Sequence, residues 1–159
     1  MKRAYLTSSP AETKRLAGRL ARHLGVSDVV LFLADLGAGK TTFVQGVARA
    51  LGAKTAALSP TFVGAETIEA RIPIHHLDFY RLTEAEILGI GIEDYLLGAG
   101  EVGPGVVLIE WAERFRQIWP KERLEVRISI EPRRERRRIE FTPSGARFEK
   151  IIRALPVKP

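Results

Sequence analysis

The run Leu33-Ala34-Asp35-Leu36-Gly37-Ala38-Gly39-Lys40-Thr41-Thr42 constrains the fold of this chain more than any other segment. It follows an apolar stretch, Val29–Leu33, and precedes a segment with apolar residues at helical spacing, Phe43–Leu51. A strand, a glycine-rich turn and a helix in this order are the context that a phosphate-binding loop requires. Glycines let consecutive backbone N–H groups converge on phosphate oxygens, and the helix N-terminus adds partial positive charge. The sequence therefore predicts nucleotide binding at this turn.

Three positions of the loop have distinct expected roles. Lys40 reaches the β- and γ-phosphates of a bound nucleotide, and the Thr41 hydroxyl can ligate Mg²⁺. Ala34 stands where the pattern G-x-x-x-x-G-K-[ST] has its first glycine. Because alanine resists positive φ, the turn after the strand is expected to use an ordinary backbone conformation. The alternative, a glycine-rich turn with an incidental lysine, is less consistent with the flanking strand and helix.

The rest of the chain predicts a single α/β domain over residues 1–159. Ser9, Pro10 and Glu12 form a helix-opening signature, and Thr83 to Glu86 repeats it. Strand-like segments are expected around Phe62 to Ile68, Ile72 to Asp78 and Val106 to Glu110, followed by a hairpin from Leu124 to Phe141 and a helix from Ser144 to about Leu155. The alternation of strands and helices predicts a three-layer sandwich like that of P-loop NTPases, with helices on both faces. Its central sheet is expected to be mainly parallel, with antiparallel strands at one side.

Two acidic residues end predicted strands. Glu110 closes the apolar run Val106–Glu110, and a P-loop enzyme needs a carboxylate there to hold Mg²⁺ or its water beside the loop threonine. Asp78 closes the segment Ile74–Asp78, and ligands of open α/β sheets gather outside the carboxyl ends of the strands. A carboxylate there can orient an attacking water, accept its proton or bind a metal-bound water. Lys40, Asp78 and Glu110 are thus the candidate catalytic residues; the alternative for Asp78 is a helix-capping or surface role.

Other polar and aromatic positions have competing interpretations. Thr61, in the segment Ser59–Phe62, is a candidate to offer a hydroxyl to Mg²⁺ or the γ-phosphate, against a simple turn. Trp111 could stack on a base or pack under the loop. His75 and His76 are neighbours on a strand and face opposite sides, so they are predicted to be structural rather than a zinc pair.

Composition narrows the function classes. The formal net charge is +6, and the arginines cluster at positions 133, 134, 136, 137 and 138, a group that could contact nucleotide, tRNA or an acidic partner. The absence of cysteine excludes disulfides and thiolate metal sites. No apolar stretch approaches membrane-spanning length and no secretory signal is recognisable, so a cytoplasmic protein is expected. The absence of asparagine excludes the Asn-Lys-x-Asp guanine element, which favours ATP over GTP.

Five spaced blocks together resemble the bacterial TsaE (YjeE) family. In this sequence they are Asp35–Phe43 (DLGAGKTTF), Ser59–Phe62 (SPTF), His76–Leu82 (HLDFYRL), Gly91–Tyr95 (GIEDY) and Leu108–Arg114 (LIEWAER). The resemblance implies a small ATPase required for N6-threonylcarbamoyladenosine at position 37 of tRNAs that read codons beginning with A. It implies that the protein works with the TsaD–TsaB pair, in which TsaD transfers the threonylcarbamoyl group, and that tRNA is met through that complex.

The same resemblance assigns roles to individual residues. It implies that Thr41 and Glu110 handle Mg²⁺ and that Asp78 is needed for hydrolysis. It places residues from the whole site near ATP: Pro10, Leu36, Gly37, Ala38, Gly39, Lys40, Thr41, Thr42, Trp111 and Arg134. Ala34 departs from the family pattern, in which glycine is usual. Alternatives at this stage are a small-molecule kinase, a nucleotide-switched binding protein without turnover, and a direct tRNA binder.

Overall fold

The structure, a computed structural model, describes residues 1–34, 37–55, 64–133 and 135–159. The strands within these ranges are β1 (Arg3–Thr7), β2 (Val29–Ala34), β3 (Ala65–Ile68), β4 (Ile74–Asp78), β5 (Val106–Glu110), β6 (Arg123–Glu131) and β7 (Arg136–Ser144). The helices are α1 (Pro10–Ala21), α2 (Lys40–Ala50), α3 (Glu84–Gly89), α4 (Ile92–Leu97) and α5 (Ala146–Ala154), with a 3-10 helix over Ala112–Ile118. No helix in these ranges is long and apolar enough to cross a membrane.

The described strands form one sheet in the order β1-β7-β6-β2-β5-β4-β3. Strands β6, β2, β5 and β4 run parallel to one another, which confirms the predicted mainly parallel centre. Antiparallel pairing occurs at both edges, between β3 and β4 and between β7 and its neighbours, and not at one side as the sequence suggested. The connection Glu69–Pro73 explains the second antiparallel edge, because a link this short cannot carry the crossover that parallel strands need.

Apolar side chains of the described residues form two separate cores, one on each face of the sheet, as a three-layer sandwich requires. The larger core joins residues of α1, α2 and α5 to strands from β1 to β7. The smaller core joins α3, α4 and the 3-10 helix to β2, β4 and β5. Successive strand residues alternate between the cores, so Phe32 lies in the first and Leu31 in the second. The α/β class predicted from sequence is confirmed.

The helix starts follow the predicted capping chemistry. Ser9 accepts a hydrogen bond from the Glu12 N–H, with Pro10 in the first helical turn of α1. The Glu12 carboxylate returns to the N–H of Ser8 instead of that of Ser9. Thr83 and Glu86 form the complete reciprocal box at α3. Strand β1 and helix α4 are elements that the sequence pattern did not reveal.

Candidate nucleotide-binding site

The predicted phosphate loop joins β2 to α2 through left-handed glycines. Gly37 has φ 74° and Gly39, which caps α2, has φ 109°. A Cβ atom at either position would meet no atom within 4 Å, so the loop needs glycine for its backbone conformation and not for space. Helix α2 begins at Lys40 and presents its N-terminal amides beside this turn. This local geometry suits an anion.

Strand β7 reaches the loop from the antiparallel side of the sheet. The Arg137 side chain donates a hydrogen bond from Nε to the backbone carbonyl of Ala38, at 3.1 Å. Loop, β7 and the start of α1 together enclose a cavity of about 150 Å³. Its described lining comprises Thr7, Ser8, Ser9, Pro10, Thr13, Gly37, Ala38, Gly39, Thr42, Glu135 and Arg137. The residues predicted at the two ends of the chain, Pro10 and the hairpin, thus converge on the loop.

Asp78 and Glu110 are direct neighbours at the carboxyl ends of β4 and β5. Each is 2% exposed. The Asp78 Oδ1 accepts a hydrogen bond from the Tyr80 N–H at 2.8 Å, and the Glu110 carbonyl accepts one from the Phe79 N–H at 3.1 Å. The Asp78 carboxylate is therefore buried and stabilises the turn after β4, and Asp78 is not a surface residue. Both acids end strands parallel to β2, so they lie at the edge of the sheet from which the phosphate loop starts.

An aromatic pair connects the lysine of the loop to the acidic strand end. The Lys40 ammonium lies 4.0 Å from the centroid of the Trp111 ring, a cation–π contact. The Trp111 ring also packs on Tyr80, with ring centroids 4.8 Å apart. Trp111 has φ 56°, in the left-handed region that non-glycine residues rarely occupy. This backbone conformation turns the chain directly after Glu110 and keeps the indole beside Lys40, which is 7% exposed.

The two histidines of β4 are fully buried on opposite faces, as predicted. His75 lies 3.0 Å from Thr67 Oγ1 and 3.0 Å from the Gly103 carbonyl, on the side of α4. His76 Nδ1 lies 3.1 Å from Glu66 Oε1, and its Nε2 lies 3.8 Å from Glu110 Oε1, an ion-pair distance. Burial disfavours protonation, but the carboxylates of Glu110 and Glu66 outweigh it and raise the pKa of His76 to about 9.

The donor set suits magnesium better than a protein-caged metal. Among the residues that the structure describes, no three His, Asp, Glu or Cys side chains group as a metal site. Mg²⁺ in phosphate-transfer proteins takes one or two protein oxygens and completes its shell with water and substrate phosphates. Thr41, in the first turn of α2, and the buried acid Glu110 could supply such oxygens. These residues fit the ion.

Most predicted site residues are located in one region. Pro10, Gly37, Ala38, Gly39 and Thr42 line the cavity described above. Lys40 and Thr41 open α2, and Trp111 contacts Lys40. Leu36, Thr61 and Arg134 lie outside the described residues. Members of the arginine cluster have different contacts. Arg137 donates a hydrogen bond to the loop, whereas Arg138 Nη2 lies 3.9 Å from Glu140 Oε2.

Two residues of this region, Tyr80 and Arg137, are not singled out by the sequence pattern. Tyr80 stands within the block His76–Leu82, and Arg137 stands within the arginine cluster. Arg137 does have a recognisable signal. Arg137 is two residues from the buried Ile139 on the same strand, so both lie on the covered face of β7. Its lateral partner on β1 is Thr7.

A family model and individual relatives of this chain both indicate the same protein family. The family model "Threonylcarbamoyl adenosine biosynthesis protein TsaE" matches residues 7–139. The tRNA threonylcarbamoyladenosine biosynthesis protein TsaE of Bacillus subtilis is 38% identical over 152 residues, which cover 95% of this chain and 92% of the relative. The protein of the same name from a Nostoc species is 46% identical over 103 residues, covering 64% of this chain and 63% of the relative.

A solved structure agrees with the sequence matches. The crystal structure of YdiB from Bacillus subtilis superposes with a TM-score of 0.78 at 31% identity, covering 96% of this chain and 93% of that chain. The predicted family resemblance is therefore confirmed over nearly the whole length. This chain belongs to the TsaE family, whose named relatives are tRNA threonylcarbamoyladenosine biosynthesis proteins.

Proposed function

We propose that this protein hydrolyses ATP in support of N6-threonylcarbamoyladenosine formation at position 37 of tRNAs that read codons beginning with A. It acts with the TsaD–TsaB complex and contacts tRNA only through that complex. A cytoplasmic location accompanies the proposal and agrees with a chain that has no cysteine. One observation carries the proposal: the phosphate loop and a pair of buried acids lie at the same edge of the sheet.

The phosphate loop supplies binding. The amides around Gly37 and Gly39 and the N-terminus of α2 bind phosphate oxygens, and Lys40 moves from the Trp111 ring to the β- and γ-phosphates. Arg137 steadies the loop through the Ala38 carbonyl. ATP is the expected nucleotide because no Asn-Lys-x-Asp element exists for guanine.

The acidic strand ends supply the remaining chemistry. Thr41 and Glu110 would hold Mg²⁺, and the ion, when bound, would supply positive charge beside the transferring phosphoryl group. Asp78, fixed by its hydrogen bond from the Tyr80 N–H, orients the attacking water. Glu110→Ala and Asp78→Ala are expected to abolish hydrolysis with much less effect on nucleotide affinity. Wild-type hydrolysis rates in both variants would show that these residues do not have the proposed roles.

The activity test compares ATP turnover by the isolated chain and by the chain mixed with TsaD–TsaB. We expect slow turnover alone and faster turnover in the mixture, with phosphate released to water. Transfer of the γ-phosphate to a metabolite would instead identify a small-molecule kinase. Nucleotide binding without turnover in either setting would identify a switch protein.

A further inference from the structure

We propose that His76 is a positioning residue that holds the Glu110 carboxylate in the orientation required for magnesium, anchored from the other side by Glu66. This inference rests on the proposed function, since it concerns the metal-binding side of the same site. It adds two residues to the site, Glu66 on β3 and His76 on β4.

The strand register places the three side chains on one face of the sheet. Glu66 on β3 is the lateral partner of His76 on β4, and His76 is the lateral partner of Leu108 on β5. Glu110 lies two residues beyond Leu108 and so shares its face. Leu108 belongs to the core that α2 covers, so the three side chains lie on the face of the sheet that carries the phosphate-loop helix.

The distances give His76 two carboxylate neighbours. Its Nδ1 is at hydrogen-bond distance from Glu66 Oε1, 3.1 Å, and its Nε2 faces Glu110 Oε1 at 3.8 Å. A cationic group beside a carboxylate favours the orientation that points an oxygen towards it, and here Glu110 Oε1 faces His76 Nε2 at an ion-pair distance, longer than a hydrogen bond. The orientation of the second oxygen then follows. Outer groups of this kind commonly tune metal-binding carboxylates.

His75 shows that this arrangement is not simply what a buried histidine on β4 requires. It is equally buried and has two hydrogen-bonding neighbours, but these are the Thr67 hydroxyl and the Gly103 carbonyl. Its face is that of α4, where its ring packs edge-on against Tyr95. The partners of His75 are thus a hydroxyl and a carbonyl, whereas His76 lies between two acids. His75 is therefore a matched control of the same type, strand and burial.

The anchoring acid is accessible to mutation without disturbing the core. The Glu66 side chain is 37% exposed, while His76 is fully buried. Glu66→Gln keeps the shape and one acceptor oxygen but removes the charge that fixes the Nδ1 side of the ring. It should weaken the orientation of the ring, and through it that of Glu110, without opening a cavity.

The main experiment compares His76→Gln with His75→Gln in the full-length chain assayed with TsaD–TsaB. In His76→Gln, the Mg²⁺ concentration for half-maximal ATP hydrolysis should rise about tenfold, the range seen for outer-shell groups of metal sites. ADP affinity in EDTA should match wild type. His75→Gln should leave the Mg²⁺ requirement unchanged even if it lowers the melting temperature as much, and Glu66→Gln should raise the requirement by a smaller factor.

A binding measurement provides a readout that does not depend on turnover. Titration calorimetry of ADP with and without Mg²⁺ gives the factor by which the ion strengthens nucleotide binding. That factor should shrink in His76→Gln and Glu66→Gln and stay at the wild-type value in His75→Gln. If His76→Gln does not fold, Glu66→Gln alone decides, because its substitution lies at a partly exposed position.

The outcomes separate this inference from the proposed function. Equal Mg²⁺ dependence in His76→Gln, Glu66→Gln and wild type would overturn the positioning role while leaving ATP hydrolysis intact. A wild-type protein that binds Mg²⁺-ADP but never hydrolyses ATP would overturn the proposed function, and the calorimetric comparison would still test His76. If Mg²⁺ does not affect wild-type ADP binding, the result would contradict both the assignment of Thr41 and Glu110 to the metal and the positioning role of His76.

Discussion

At the scale of single residues, the candidate site combines buried charged side chains with an unusual backbone conformation, which ordinary surface residues do not have. Lys40 is almost completely covered and contacts an indole, and Trp111 holds a left-handed backbone beside it. Asp78 and Glu110 are buried acids side by side at strand ends. Such environments persist when the surrounding fold determines them, and they concentrate at functional sites.

Lys40→Ala should weaken ATP affinity by at least about tenfold, because a charge-assisted contact to phosphate is lost. The fold should remain, since the substitution removes no apolar core residue. Lys54→Ala is the matched control, an exposed lysine beyond the opposite end of α2. Calorimetric ATP titration with a circular dichroism melt checks both, and wild-type affinity in Lys40→Ala would refute the site.

The pKa of His76 predicts how stability changes with pH in the metal-free, nucleotide-free protein. Because the folded pKa is about 9 and the unfolded value 6.5, the stabilisation is fully present below pH 6.5. It is lost as pH rises towards 9, since the folded state then retains a proton that the unfolded chain releases. The slope is at most about 1.4 kcal/mol per pH unit.

Urea unfolding in EDTA at several pH values measures this slope. Comparison of wild type with His76→Gln isolates the contribution of the one imidazole, because the other titrating groups are shared. A wild-type profile as flat as that of His76→Gln between pH 6.5 and 9 would contradict the assignment.

At the scale of elements, the close approach of α1 and α2 positions the phosphate-loop helix against the sheet. A Cβ atom on Gly46 would lie 2.7 Å from the Lys14 carbonyl and 2.8 Å from the Ala17 Cβ. These are backbone and short side-chain atoms that cannot turn away. A Cβ on Gly18, facing α2 from α1, would meet the Ala50 Cβ at 3.5 Å and the Gly46 carbonyl oxygen at 3.9 Å, both ordinary van der Waals contacts.

Gly46→Ala should therefore lower the free energy of unfolding by about 1–3 kcal/mol, as overpacking does. Gly18→Ala is the opposite case in the same helix pair and should stabilise by about 0.5–1 kcal/mol through helix propensity. Denaturant unfolding of the two single variants measures both effects. Equal changes of one sign would show that the helix contact is not as close as the structure has it.

At the scale of the whole molecule, the C-terminal helix is tied to the strand that leads into the phosphate loop. Arg147 on α5 forms a two-pronged ion pair with Asp28, the residue directly before β2, through Nε and through Nη2 at 2.6 Å. The Asp28 side chain is 4% exposed and that of Arg147 is 46% exposed. The Asp28 carboxylate also accepts a hydrogen bond from the Gly25 N–H.

Arg147→Ala leaves the buried Asp28 charge without its cation, and we expect a loss of about 1–3 kcal/mol. This is below the full cost of breaking a buried pair, because solvent screens the half-exposed arginine. Arg153→Ala, which removes an exposed pair with Glu149 one turn apart, should change stability by less than about 0.5 kcal/mol. Thermal melts compare the two, and similar losses would contradict the distinction.

Local pattern alone determined the α/β class, the glycine loop, the helix caps and the acids at the ends of β4 and β5, because each depends on a few neighbouring residues. Tertiary structure decided what distant residues do together. The pairing of β1 with β7, the contact of Arg137 with Ala38 and the placement of His76 between Glu66 and Glu110 all depend on strand order and register. The local sequence does not specify which strands pair, and a register shift of one residue moves a side chain to the other face of the sheet.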